Sequence, residues 1–206
     1  MAAPTIINTE TLLQEKIAAN IADSIAVKEA MLRDGALLRQ IAEAARIITE
    51  AMRAGRRLLL VGNGGSAADA QHIAAEFVGR YLKERRALPA LALSVNTSTV
   101  TAIGNDYGFE NIFARQVEAF ARPGDVLMAI STSGNSRNVV RAVLQASDMQ
   151  VTTIAMTGAN GGMLRSTAVL CLCVPSADTP RIQEAHILTG HAIAEIVEQE
   201  LFDKSE

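Results

Sequence analysis

Apolar residues recur at helical spacing from Thr9 to Ala54 and then give way to short unbroken apolar runs. The first stretch carries Leu12, Ile17, Ile21, Ile25, Val27 and Met31 among polar residues. The second carries Leu37, Leu38, Ile41, Ala44, Ile47, Ile48 and Met52. Recurrence every three to four residues marks an amphipathic helix. Two helices are expected, broken at Asp34-Gly35 and stopped at Gly55. A long amphipathic helix ahead of an α/β unit has little of its own domain to pack on, so packing across a subunit interface is its expected use.

From Arg56 onward strand and helix patterns alternate. RRLLLVG (56–62), ALPALALSV (87–95), DVLMAIS (125–131), VTTIAMTG (151–158) and AVLCLCVP (168–175) read as strands. Between them SAADAQHIAAEFVGRYL (66–82) and SRNVVRAVLQASDM (136–149) read as helices, and helical turns surround a Gly104-Asn105-Asp106 loop. A final helix runs from about Pro180 to Phe202, with Thr179 as its N-cap and Pro180 at its first position. This alternation implies an α/β fold: a doubly wound parallel sheet of about five strands, flanked by helices, with ligands at the carboxyl ends of the strands. Residues 1–206 are expected to form one domain with an N-terminal helical extension at about 9–54.

Composition narrows the picture. Of 206 residues 49% are apolar, but only 3% are aromatic and Trp is absent, so the core is filled by Ala, Leu, Ile and Val. That favours close helices and buried parallel strands over a β-sandwich. The net charge is −3, and the densest basic cluster, Lys83, Arg85 and Arg86, reads as a solvated helix end. Nothing in the charge suggests a nucleic-acid partner. Cys171 and Cys173, two apart on a strand, read as buried reduced thiols. The N-terminal MAAPTIINTE has no signal pattern and no run approaches a membrane span, so a cytoplasmic protein without membrane partners is expected.

Two strand-to-helix junctions are rich in small donors: Gly62-Asn63-Gly64-Gly65-Ser66 and Ser131-Thr132-Ser133-Gly134-Asn135-Ser136. Glycine lets the backbone turn sharply and approach a ligand, and the free N–H groups of the following helix attract an anion. The hydroxyls add donors without charge, which suits a phosphate monoester. Gly and Ser also make ordinary turns, but two such loops at one sheet edge favour a binding site. Gly62, Gly64 and Ala67 loosely fit a dinucleotide fingerprint. The acidic residue it requires is missing from Ser94-Val95-Asn96-Thr97, and there is no Gly-Lys-Ser/Thr.

His72 and Glu76 are four residues apart, one turn along a single helix face. Such a pair can share a divalent cation, and imidazole suits Zn²⁺. A surface His–Glu neighbour is the commoner outcome, and a zinc site wants more ligands. Gln183, Glu184, His186 and His191 are polar exceptions on the last, mostly apolar helix. Spacing leaves open whether His186 or His191 belongs with Gln183; a capping or surface role is expected for His186.

Taken together, GNGGSAADAQHIAAEFVGRY (62–81), AIGNDYGFE (102–110), ISTSGNS (130–136) and PRIQEAHILTGH (180–191) resemble the phosphoheptose isomerase family of sugar-isomerase (SIS) domains. The resemblance runs from about Gly55 to Phe202. It implies an SIS fold, a homotetramer, and isomerisation of sedoheptulose 7-phosphate to D-glycero-D-manno-heptose 7-phosphate through an enediol(ate). It further implies zinc on His72, Glu76, Gln183 and His191, and so prefers His191 over His186. The phosphate would sit on Ser131, Thr132, Ser133 and Ser136, with Asn63, Gly64, Gly65 and Ser66 lining the pocket. Asn105 and Asp106 would meet sugar hydroxyls, Glu76 would be the base and His191 its partner.

Some family members carry Asp directly before Arg-Ile-Gln; Pro180 stands there in this chain, so any role of that Asp is not carried over. The rival from another class is a non-catalytic SIS module resembling the DnaA initiator-associating protein. Those relatives lack the Glu of the His-x-x-x-Glu pair and the late His, and both Glu76 and His191 are present here.

Overall fold

A computed structural model describes residues 9–203. Most of MAAPTIINTE, and so the signal-peptide expectation, lies outside them. Two helices, α1 (Thr9–Arg33) and α2 (Gly35–Arg53), precede the sheet. Asp34 separates them and caps α2, its carboxylate accepting from the N–H groups of Ala36 and Leu37 at 3.0 Å. The rest alternates as the apolar runs predict: β1 (Leu58–Gly62), α3 (Gly65–Val78), β2 (Ala90–Ala92), α4 (Thr97–Tyr107), a 3-10 turn at Phe109–Asn111, α5 (Ala114–Phe120) and β3 (Val126–Ile130). Then follow α6 (Arg137–Asp148), β4 (Thr152–Thr157), α7 (Leu164–Thr167), β5 (Leu170–Cys173) and α8 (Thr179–Phe202).

All strand pairs are parallel and the order is β2-β1-β3-β4-β5. Strand side chains alternate between two cores. Leu58, Leu60, Met128, Ile154 and Met156 face α2, α3 and α8, while Leu59, Val61, Leu127, Ala129 and Ala155 face α5 and α6. Burial on both faces explains why these strands read as unbroken apolar runs. The chain leaves β1 toward β2 and returns to β3 on the other side, so the β1/β3 junction is the topological switch point. There the register pairs Gly62 with Ile130, which sets the two donor-rich loops side by side. Among the described residues no helix is long and apolar enough to cross a membrane.

The structure corrects several boundaries. The helix expected at 66–82 ends at Val78, because the Arg85 guanidinium takes the carbonyls of Glu76, Phe77 and Gly79 that further helix would have used. The same bonds overturn the solvated reading for Arg85, whose side chain is 2% exposed, while Lys83 and Arg86 stay at the surface. The strand expected at 87–95 shrinks to Ala90–Ala92, between Pro89, which cannot donate to a ladder, and Asn96, which caps α4 by accepting from Thr99 N–H. Gly104-Asn105-Asp106 is helix, not loop. Asp178, not Thr179, is the N-cap position of α8. Cys171 and Cys173 are half-buried, with sulfurs 3.7 Å apart and unlinked.

Candidate functional site

Gly64 holds φ +53°, a left-handed value that glycine adopts freely and that turns the chain into α3. A side chain at Gly65 would meet the amide of Gln183, which reaches from α8 over the first loop and would have to turn aside. In the second loop the hydroxyls of Ser131 and Ser136 face each other at 3.0 Å beneath the first turn of α6. Gly134 packs on the Gly161 carbonyl with φ +67°, a contact that any Cβ would block. Thr132 and Ser133 line a cavity of about 280 Å³ with Asn160, Ser176 and Thr179, at the carboxyl ends of β3, β4 and β5.

The side chains of Asn63 and Asn138 exchange two amide hydrogen bonds of 2.8 Å. This ring joins the first loop to α6, 75 residues later in sequence. Sequence reading placed Asn63 in the pocket but missed Asn138, which sits two residues beyond the serine-rich loop, facing inward.

Helices α3 and α8 cross closely because Gly190 faces Ile73; a Cβ at 190 would lie 2.5 Å from Ile73 Cδ1. That approach places His191 Nε2 2.9 Å from His72 Nε2, while His72 Nε2 lies 3.1 Å from Glu76 Oε1. One donor atom from each of the three residues lies within 4.8 Å of the others. Two imidazoles and a carboxylate converging on one point are the donor set of a catalytic zinc site. The residues therefore fit the cation. Gln183, two turns earlier on α8, has its amide over Gly65.

His186 does not join this group. It is 1% exposed, with Nε2 3.2 Å from the Thr157 carbonyl and Nδ1 buried without a partner. Burial pushes its imidazole down to about 4, outweighing the Thr157 contact. The capping or surface role expected for it is wrong; the ring packs inside the molecule on the sheet side of α8. Glu184 turns the other way, accepting from Ser24 at 2.5 Å and from Arg181 at 2.6 Å, and ties α8 to α1. Asn105 and Asp106 are exposed on α4 and bond each other at 2.7 Å, with no contact to the histidines.

Three further groups near the cluster escaped the sequence reading. Asp69 stands one turn before His72, and its Oδ2 is buried without a hydrogen-bond partner. Burial pushes its carboxyl up, opposed by His72. The signal was present as an i, i+3 Asp–His spacing. The Tyr81 ring lies 5.7 Å from the His191 ring, tilted 30°. Burial raises its phenol, helped by the charges of Glu195, Glu76 and Glu198. Glu198, 2% exposed, gave no signal in sequence beyond being a charged residue on a mostly apolar helix. A larger cavity of about 560 Å³ opens beside α2 and β5, lined by Arg165, Cys171 and Cys173. None of its lining residues belongs to the His72–Glu76–His191 cluster. Burial pushes the Cys171 thiol up to about 11, which leaves it a poor nucleophile at neutral pH.

Comparison with known proteins agrees with this geometry. The family model for the SIS domain matches residues 21–158. A phosphoheptose isomerase from Clostridium acetobutylicum is 54% identical over 186 residues, 90% of this chain and 95% of its own. The chain belongs to the phosphoheptose isomerase family. The structure of a phosphoheptose isomerase from Neisseria gonorrhoeae, 44% identical, superposes with a TM-score of 0.86 over 91% of this chain and 99% of its own. One from Francisella tularensis, 38% identical, gives 0.87 over 90% and 98%. The fold is that of phosphoheptose isomerases, and the chain is an enzyme of that kind. The non-catalytic module is not favoured.

Proposed function

We propose that the chain interconverts sedoheptulose 7-phosphate and D-glycero-D-manno-heptose 7-phosphate at the β1/β3 switch point, opening bacterial heptose synthesis for lipopolysaccharide and related glycans. The observation that carries the reading is the approach of His191 on α8 to His72 and Glu76 on α3, the helix that opens from the first loop. Beside it, a second loop lined with hydroxyls takes the phosphate.

Ser131, Thr132, Ser133 and Ser136, with the N–H groups at the start of α6, hold the phosphate and anchor the open-chain sugar. Asn63, Gly64, Gly65 and Ser66 line the chain's path toward α3, with Asn63 held in place by Asn138. Asn105 and Asp106 take sugar hydroxyls by their place in the family motif. The Glu76 carboxylate removes the proton from one of the two reacting carbons and returns it to the other. His191 gives a proton to the carbonyl oxygen as the enediol forms and takes one from the hydroxyl on the other reacting carbon as the enediol collapses. His72 orients both, lying within hydrogen-bond reach of each.

Zinc held by His72, Glu76, Gln183 and His191 would polarise the sugar carbonyl or hydroxyl. Glu76 acts as base while its carboxylate is free of the cation, since a committed carboxylate is less basic. We further take residues 1–206 as one cytoplasmic domain, assembled as a homotetramer through α1 and α2. Leu12, Leu13, Ile17, Ile21 and Ile25 support the assembly: spaced mainly four apart, they are 47–58% exposed in the single chain. Glu76→Gln tests the base: it should keep fold and assembly while turnover of sedoheptulose 7-phosphate falls by about 10³-fold or more. Near-native turnover in that variant would remove Glu76 from the role.

A further inference from the structure

The end of α3 that carries Glu76 is held by a buried charge pair that the proton transfer does not use. Glu198 and Arg85 lie 2.8 Å apart and their side chains are each 2% exposed. The Glu198 carboxylate accepts the N–H groups of Leu82 and Lys83 at 2.8 Å, that of Tyr81 at 3.0 Å, and Arg85 Nε at 2.8 Å. Arg85 turns its remaining donors to carbonyls: Glu76 at 2.7 Å, Phe77 at 2.9 Å, and Gly79 and Arg86 at 3.1 Å.

A buried ion pair is a poor device for stability, because desolvating two charges consumes most of what their attraction returns. This one has a geometric effect that apolar filling would lack. It grips the Glu76 carbonyl itself, and it fixes the backbone of Tyr81, whose ring rests against His191. Glu198 stands on α8 two turns beyond His191. The pair therefore joins the same two helices that bring Glu76 and His191 together, on the far side of the base from Gly190.

We propose that Glu198 and Arg85 form a positioning clamp for the reaction, setting Glu76 on α3 against His191 on α8 and holding the Tyr81 ring on His191. The inference rests on the functional reading above. All three are positioning residues: each acts through Glu76 or His191.

The test uses Glu198→Gln, Tyr81→Leu and Tyr81→Phe in the full chain, with melting temperature, assembly, kcat, KM and Zn²⁺ affinity measured for each. Zn²⁺ affinity is read by competition with a chromophoric chelator. Tyr81→Leu should melt and assemble as the parent and keep KM, with kcat reduced about tenfold or more, and Tyr81→Phe should recover most of that loss. Glu198→Gln should weaken Zn²⁺ binding by about 10–100-fold, the range for residues that orient metal ligands, and lower kcat with it. Unchanged kcat in Tyr81→Leu overturns the clamp. So does a Glu198→Gln enzyme that only melts lower, with kcat and Zn²⁺ affinity intact. If Glu198→Gln does not fold, the Tyr81 pair decides. If the parent enzyme does not turn over sedoheptulose 7-phosphate, the functional reading fails, and Zn²⁺ affinity across the variants still judges the clamp.

Discussion

The three histidines of this chain meet two fates, decided by the neighbours each finds. His72 and His191 face each other at 2.9 Å beside a carboxylate, whereas His186, five residues from His191 on the same helix, is buried against β4. His191→Ala should therefore abolish turnover, while His186→Ala should lower stability and leave kcat far less affected. Equal losses of kcat would mean the wrong histidine has been placed in the site. His186 also sets an acid response. Unfolded, its imidazole protonates near 6.5; folded, burial holds it neutral down to about 4. The folded state thus binds fewer protons between those values. The stabilising contribution is complete above pH 6.5 and drains as pH falls through the window, by about 3 kcal/mol at most. Melting temperature measured from pH 7 to pH 4 should fall more steeply in the parent than in His186→Leu. Parallel curves would show that His186 is not the titrating group. Glu198 acts lower on the scale: burial pushes its carboxyl up, but three N–H groups and Arg85 outweigh that and hold it below its ordinary range. Its contribution is lost only as pH drops beneath the usual carboxylate value.

Among the elements, the contact between α3 and α8 determines whether a site exists at all. Gly190 permits it, and Gly190→Val would drive a branched side chain into Ile73. Overpacking of this kind costs about 1–3 kcal/mol, and the helices should part enough to weaken Zn²⁺ binding and turnover together. Retention of both would show that the crossing is more tolerant than its geometry implies.

Strands β1, β3 and β4 were readable because they are buried on both faces, and α2 and α6 because one face of each is buried, so burial left its period in the sequence. The two loops and the His72–Glu76 pair were readable because their partners are local. The His72–His191 contact spans 119 residues and has no local signature; only the family motif chose His191. The Arg85–Glu198 pair was misread for the same reason. A basic cluster after a helix looks solvated until the carboxylate 113 residues away is seen inside it. Asn105 and Asp106 came from the motif alone, and on α4 they bond each other rather than the histidines.

At the scale of the whole molecule, α1 carries a stripe of exposed apolar side chains among the described residues, and Leu38 and Leu188 add exposed area on α2 and α8. A helix that reads as amphipathic but stays open in the monomer points to burial between copies. Light scattering should give a mass near four times the 21.9 kDa chain, and Ile17→Glu with Ile21→Glu should shift it toward smaller species. A parent chain that runs as a monomer would contradict the assembly. The central claim, that this chain is a zinc-assisted phosphoheptose isomerase, is tested most directly by turnover of sedoheptulose 7-phosphate before chelation, after chelation and after Zn²⁺ is restored. The account predicts turnover that is lost to the chelator and regained with Zn²⁺. An assembled protein with no turnover under any of the three conditions would contradict it.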